Sequence, residues 1–119
     1  MSGIDFVYDT NIFIYIMQGN PNVAHFSDVG HFSFSVISQL KLLEKFKIGE
    51  KEKQTVYELR SLGFCLELDA EIQEKTIELK QKYRLKLPDA IIAASAIHHQ
   101  LPLVSADKGF WAVKELDFI

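Results

Sequence analysis

Cysteine is almost missing from this sequence: Cys65 is the only one in 119 residues. One thiol cannot close an internal disulfide or build a multi-cysteine zinc site, so a disulfide scaffold is excluded and a reducing compartment is expected. Its neighbours Gly63, Phe64 and Leu66 make an apolar strand, so Cys65 reads as a buried structural thiol rather than a nucleophile. Proline and glycine are also scarce, at three and six residues, which excludes collagen-like and low-complexity chains. Long hydrophobic runs are absent too. The uncharged stretches near the two ends are broken by Gln18, Gly19, Asn20 and Pro21, and by His98, His99 and Gln100, so neither spans a bilayer. Met1 to Asp5 lack the basic stretch of a signal peptide. A soluble, cytoplasmic protein with no membrane partner is expected.

Positive charge is missing from one region in particular. Residues 1–40 contain no Lys or Arg and three acids, whereas residues 41–86 contain eleven bases and nine acids, and residues 87–119 two bases and four acids. The two ends together carry −5 and the middle +2, within a net charge of −3. That balance excludes a protein gripping nucleic acid through a basic surface alone. An acidic site assembled from both ends, beside a mildly basic middle, suits a cation-dependent enzyme with a polyanionic substrate. With 48% hydrophobic residues the chain is ordinary globular material. Its length fits one domain, residues 1–119, that buries about two-thirds of its surface.

Residues Phe6 to Tyr8 read as a strand and Asn11 to Met17 as a helix. Gly19 to Asn22 form a turn cluster followed by a short, weakly helical piece. His31 to Ser35 alternate with period two, predicting a second strand. From Ser35, the residues Val36, Ile37, Leu40, Leu43 and Phe46 recur three or four apart, predicting a helix that ends near Gly49. Another helix is expected over Lys51 to Ser61, and a third strand over Phe64 to Leu68. Asp69 is placed to cap a helix with Ile72, Thr76, Leu79 and Tyr83 on its inner face. Leu87-Pro88-Asp89 opens a buried, alanine-rich helix to His99, Leu101 to Val104 forms a core strand, and Leu116 to Ile119 a candidate final one. Strands alternating with helices predict an α/β fold with a mainly parallel sheet of four to five strands.

In such sheets ligands sit beyond the carboxyl ends of the strands. Asp9 follows the first strand, Asp89 opens the alanine-rich helix, and Asp107 follows the Leu101–Val104 strand. Aspartate is also a common cap and turn residue, so each has a structural reading of its own. Three carboxylates in one cleft repel one another unless a cation is present, and oxygen ligands select Mg²⁺ or Mn²⁺ over zinc. The chemistry this implies is metal-assisted attack by water on a phosphodiester. His98 and His99 end a helix, where they suit its dipole better than a metal. Asp9-Thr10-Asn11 lacks the second aspartate that a haloacid-dehalogenase-like phosphatase needs, and the paired acids of a receiver domain are missing.

Four stretches together resemble the PIN domain, and within it the VapC-like toxins of toxin–antitoxin pairs. They are Phe6-Val7-Tyr8-Asp9-Thr10-Asn11-Ile12-Phe13-Ile14-Tyr15; Ser35-Val36-Ile37-Ser38-Gln39 with Leu42-Leu43; Leu87-Pro88-Asp89-Ala90-Ile91-Ile92-Ala93-Ala94 with Ala96; and Leu101-Pro102-Leu103-Val104-Ser105-Ala106-Asp107 before Phe110. The resemblance implies a PIN-like three-layer fold and a divalent-metal-dependent endoribonuclease. Asp9, Asp89 and Asp107 would be the catalytic acids and ligands of Mg²⁺ or Mn²⁺, Thr10 and Ser105 would steady the site, and Asn11 would cap the first helix or support Asp9. It further implies an RNA substrate, a cognate antitoxin protein and a homodimer.

The chain departs from that pattern at one position. Lys41 stands where the family has its second acid. The exchange moves the formal charge of the site from about −4 to −2, and one unit-charge pair near a surface is worth up to about 4 kcal/mol. Weakened or absent activity is therefore expected, with the Lys41 ammonium acting as a surrogate cation. Glu44, one helical turn on, offers a replacement oxygen. A non-catalytic PIN scaffold that binds RNA or an antitoxin is the alternative. Of the basic run Lys80, Lys82, Arg84 and Lys86, the last two are placed best to touch an RNA backbone.

Overall fold

The computed structural model describes residues 6–17, 19, 32–45 and 50–117. Its elements run β1 (Phe6–Tyr8), α1 (Thr10–Met17), β2 (Phe32–Ser35), α2 (Val36–Lys45), α3 (Glu50–Leu62), β3 (Phe64–Leu66), α4 (Ala70–Lys82), α5 (Leu87–His98), β4 (Leu103–Val104) and a 3₁₀ segment, Lys108–Ala112. The strands form one sheet of order β3-β2-β1-β4, every pair parallel. Most of the turn cluster at residues 19–22, the weakly helical piece beyond it, His31, the helix end near Gly49 and residues 118–119 lie outside the described residues.

Parallel strands bury both faces, and neighbouring residues on a strand point to opposite sides. Val7 and Leu103 lie opposite each other and join the cluster built by α4 and α5, with Ile72, Leu79, Ile92 and Ala93. Their successors Tyr8 and Val104 turn to the other face and pack with Ile12 and Phe13 of α1, Leu42 of α2 and Val56 of α3. Helix–sheet–helix is thus the layering, as an α/β fold requires. The buried alanines Ala90, Ala93, Ala94 and Ala96 let α5 lie close against the sheet and α4.

Aromatic rings fill the second face. Tyr8 and Phe32 stack with centroids 4.9 Å apart and planes 1° from parallel, while Phe13 meets Phe34 edge-on at 5.6 Å. Burial pushes the Tyr8 phenol up to about 12. Gly63 is the pivot into β3, and a Cβ there would drive into the Phe32 ring.

The alternation in β2 deceives in one respect. Phe32 and Phe34 point into the aromatic face as expected, but Ser33 and Ser35 are fully buried rather than solvated. Ser33 Oγ donates to the Phe6 carbonyl at 2.8 Å, and Ser35 Oγ accepts from the Ile37 N–H at 3.2 Å. Satisfied hydroxyls can be buried at little cost. Cys65 is half-buried rather than buried, on the edge strand beside the aromatic cluster. No fifth strand forms among the described residues, yet the Leu103 N–H donates to the Asp117 carbonyl at 2.7 Å, so Asp117 meets the β4 edge.

Asp69 caps α4 as expected, its Oδ1 accepting from the Ile72 N–H at 2.9 Å. At the other end of α4, Glu115 accepts from the Lys82 ammonium at 2.8 Å and from the Tyr83 hydroxyl at 2.6 Å. These partners hold the Glu115 carboxyl at about 2 against an ordinary 4.5. A carboxyl lowered by folding adds stability that is complete above about pH 4.5 and lost as the pH falls toward 2. Glu115→Gln should therefore flatten the acid limb of stability between those pH values, an effect that shrinks in salt because the pair is exposed, as read by urea midpoints against pH. Gly63→Ala should cost about 1–3 kcal/mol in the same unfolding measurement, since the Phe32 ring must leave its stack.

Candidate active site

From β1 the chain crosses to β2 on one side, continues to β3, and returns through α4 and α5 to β4 on the opposite side of β1. The order of the sheet thus reverses between β1 and β4, and beyond the carboxyl ends of such strands α/β folds place their ligands. Asp9 lies at that point. Its N–H donates to the Val104 carbonyl at 3.0 Å, and its own carbonyl accepts from Ile12 N–H at 3.0 Å as α1 begins.

The Asp9 side chain is only 4% exposed. One carboxylate oxygen accepts from the Thr10 N–H at 2.7 Å, the other from the Ser105 hydroxyl at 2.8 Å. Ser105 Oγ also accepts from the Asp107 N–H at 3.0 Å, so one hydroxyl ties the acid of β1 to the loop after β4. Thr10 Oγ1 donates to the buried Ser38 hydroxyl at 3.1 Å, which fixes the start of α1 against α2. Ser38 lies in the Ser35–Gln39 stretch, whose pattern was legible while the role of this one residue was not.

Electrostatics link the remaining charges. Burial raises the Asp9 carboxyl above its ordinary value; the bonds from Ser105 and Thr10 pull it down, Asp89 raises it and Lys41 lowers it. Asp89, in the first turn of α5 behind Pro88, is likewise raised by burial and by Asp107, and lowered by Lys41 and Lys86. Asp9, Asp89, Asp107 and Lys41 therefore share one electrostatic neighbourhood. Asp107 has a second duty, since its Oδ1 accepts from the Gly109 N–H at 2.8 Å and caps the 3₁₀ segment.

Other candidates stand apart. Glu44 is exposed and is not among the charges that act on Asp9 or Asp89. Asn11 is exposed inside α1, which already begins at Thr10, so it is not the cap. His98 pairs with Glu71 across α4 and α5 at 3.2 Å, and His99 is the C-cap residue of α5, as its position at a helix end indicated. Arg84 and Lys86 are exposed just before α5.

Carboxylates are the right donors for Mg²⁺ or Mn²⁺. Their arrangement here is not: no three carboxylate, imidazole or thiolate groups among the described residues, Asp9, Asp89 and Asp107 included, lie close enough to share one ion. The charge acting on both Asp9 and Asp89 is the Lys41 ammonium. As they stand, the residues do not fit the divalent ion expected from the sequence. Replacing Lys41 with Met should raise the titration of both Asp9 and Asp89, and Lys41→Glu should raise it further, as followed by carboxyl carbon shifts in NMR.

The sequence matches the family model of the PIN domain over residues 6–116. No relative is found among curated protein sequences. The fold is similar to that of a toxin–antitoxin complex chain from Klebsiella pneumoniae, with a TM-score of 0.83 at 26% identity, covering 94% of this chain and 95% of that one. It is also similar to DNA-bound VapBC from Salmonella typhimurium, with a TM-score of 0.82 at 20% identity over 98% and 97% of the two chains. VapBC-1 from nontypeable Haemophilus influenzae gives 0.81 at 22% identity over 98% and 97%. With a family match that begins at β1 and ends just beyond the 3₁₀ segment, the chain belongs to the PIN domain family.

Proposed function

We propose that this chain is the toxin of a VapBC-type toxin–antitoxin pair: a PIN endoribonuclease whose ability to cut is weakened or abolished by Lys41. Toxin–antitoxin complexes among its structural relatives support the pairing, and the PIN fold supports RNA cleavage as the activity of the type. The proposal includes a cognate antitoxin over the cleft, a homodimer and a cytoplasmic setting; no helix among the described residues is long and apolar enough to cross a membrane.

One observation carries the reading, the shared action of Lys41 on Asp9 and Asp89. Asp9 is held in place by Thr10 and Ser105, so its orientation requires no ion. Lys41 supplies one positive charge against three carboxylates, leaving the cleft at a formal −2. That is enough to ease carboxylate repulsion, which is worth up to about 4 kcal/mol per pair near a surface. It does not supply the Lewis acidity that polarises a phosphate or generates hydroxide. The same observation favours the scaffold reading, in which this PIN domain binds RNA or antitoxin without cutting.

Cleavage of an RNA panel in Mn²⁺ or Mg²⁺ by three purified proteins separates the two readings. The chain as it stands should cut weakly or not at all, Lys41→Glu should gain at least about tenfold, and Lys41→Glu with Asp89→Asn should be inert. Equal activity of the first two proteins removes the role given to Lys41. Silence of all three on a broad panel leaves the scaffold.

A further inference from the structure

The 3₁₀ segment that follows Asp107 exposes the chain's only tryptophan. Trp111 is 68% exposed, more than any other large apolar side chain among the described residues. Tryptophan is highly buried on average, so an indole set out in water beside a cleft needs a reason. Its backbone is firmly held. Phe110, the preceding residue, is 1% exposed within the core, the Val113 N–H donates to the Phe110 carbonyl at 3.0 Å, and Asp107 caps the segment through Gly109. Packing thus fixes one residue and presents the next.

The ring has a cation beside it. Lys108 Nζ lies 5.7 Å from the Trp111 ring centroid, within cation–π range. Asp107, which caps the segment, donates its N–H to Ser105 Oγ at 3.0 Å, and Ser105 in turn donates to Asp9 at 2.8 Å, which places this segment beside the acids. Lys86, exposed at the N-cap of α5, lies three residues before Asp89. A continuous polyanion with exposed π-faces matches that combination: phosphates meet Lys108 and Lys86, and a base lies on the indole. Duplex RNA keeps its bases stacked inside, whereas a single strand offers them.

We infer that Trp111 is a base-stacking platform for single-stranded RNA at the rim of the Asp9–Asp89–Asp107 cleft, with Lys108 holding a neighbouring phosphate. This rests on the RNA reading proposed above and adds the residues that hold the strand. Trp111 positions the strand and takes no part in bond cleavage.

Because the chain has one tryptophan, its emission reports the platform directly. The full chain is titrated in EDTA with a short oligouridylate and with a duplex RNA, while anisotropy of the labelled RNA reports binding independently. Oligouridylate should quench Trp111 emission in step with the anisotropy, and the duplex should not. Trp111→Ala should weaken single-strand binding about tenfold or more with an unchanged circular dichroism spectrum, and Trp111→Phe should recover part of it. Lys108→Gln should lower the slope of affinity against salt by about one. Binding that leaves the emission unmoved, or that Trp111→Ala does not weaken, overturns the platform and leaves the RNA reading standing. Failure of the chain to bind any RNA overturns both.

Discussion

A carboxylate buried at the carboxyl end of a central parallel strand is the constraint on which this structure turns. Leaving an ionised group 4% exposed in an apolar sheet is costly unless its oxygens are bonded. Asp9 meets that requirement with one donor from its own chain, the Thr10 N–H, and one from a residue 96 positions away, the Ser105 hydroxyl. The second bond forms only once β4 has come to lie beside β1. Burial of Asp9 therefore depends on the crossover that completes the sheet, and the site and the topology stand together.

The sheet makes a parallel demand on its apolar residues. With both faces covered, each strand must serve two cores, and Val7–Tyr8 opposite Leu103–Val104 does so with two residues a side. Strands this short contribute few ladder bonds, so most of the cohesion comes from packing: alanines against α4 on one face, stacked rings on the other. Gly63 belongs to that economy. It brings the start of β3 so near Phe32 that only a residue without Cβ fits, although the chain elsewhere uses little glycine.

What the sequence made legible follows from the range of the interactions involved. Asp69 announced its helix because capping is decided within three residues. The inner face of α4 was legible by its spacing, and the acids at the ends of β1 and β4 by their place after apolar runs. The order β3-β2-β1-β4 was not, because no local pattern states which strands are neighbours. Ser33 and Ser35 look like the wet side of a strand and are dry, since their partners are the Phe6 carbonyl across the sheet and the Ile37 N–H at the turn into α2. Glu44 was attractive as a replacement acid by helical spacing alone. Yet a shift of three residues along α2 is about 4.5 Å, and Glu44 is exposed and does not act on Asp9, whereas Lys41 does.

Lys41 is a base whose charge acts on both Asp9 and Asp89. Asp89 raises Asp9, Asp107 raises Asp89, and burial raises both, so every one of these effects disfavours the charged state. Against them stand, on Asp9, the bonds from Ser105 and Thr10 and then Lys41, and on Asp89, Lys41 and then Lys86. The Lys41 ammonium, a compact charge on a long flexible stem, acts on both acids through space from a neighbouring helix and, among the described residues, forms no ion pair with either. A divalent ion would do the same with twice the charge and with vacant coordination positions for water and phosphate. The ammonium has none to offer. On the function proposed above, Lys41 would ease the repulsion between Asp9 and Asp89 without supplying the Lewis acidity that hydrolysis needs.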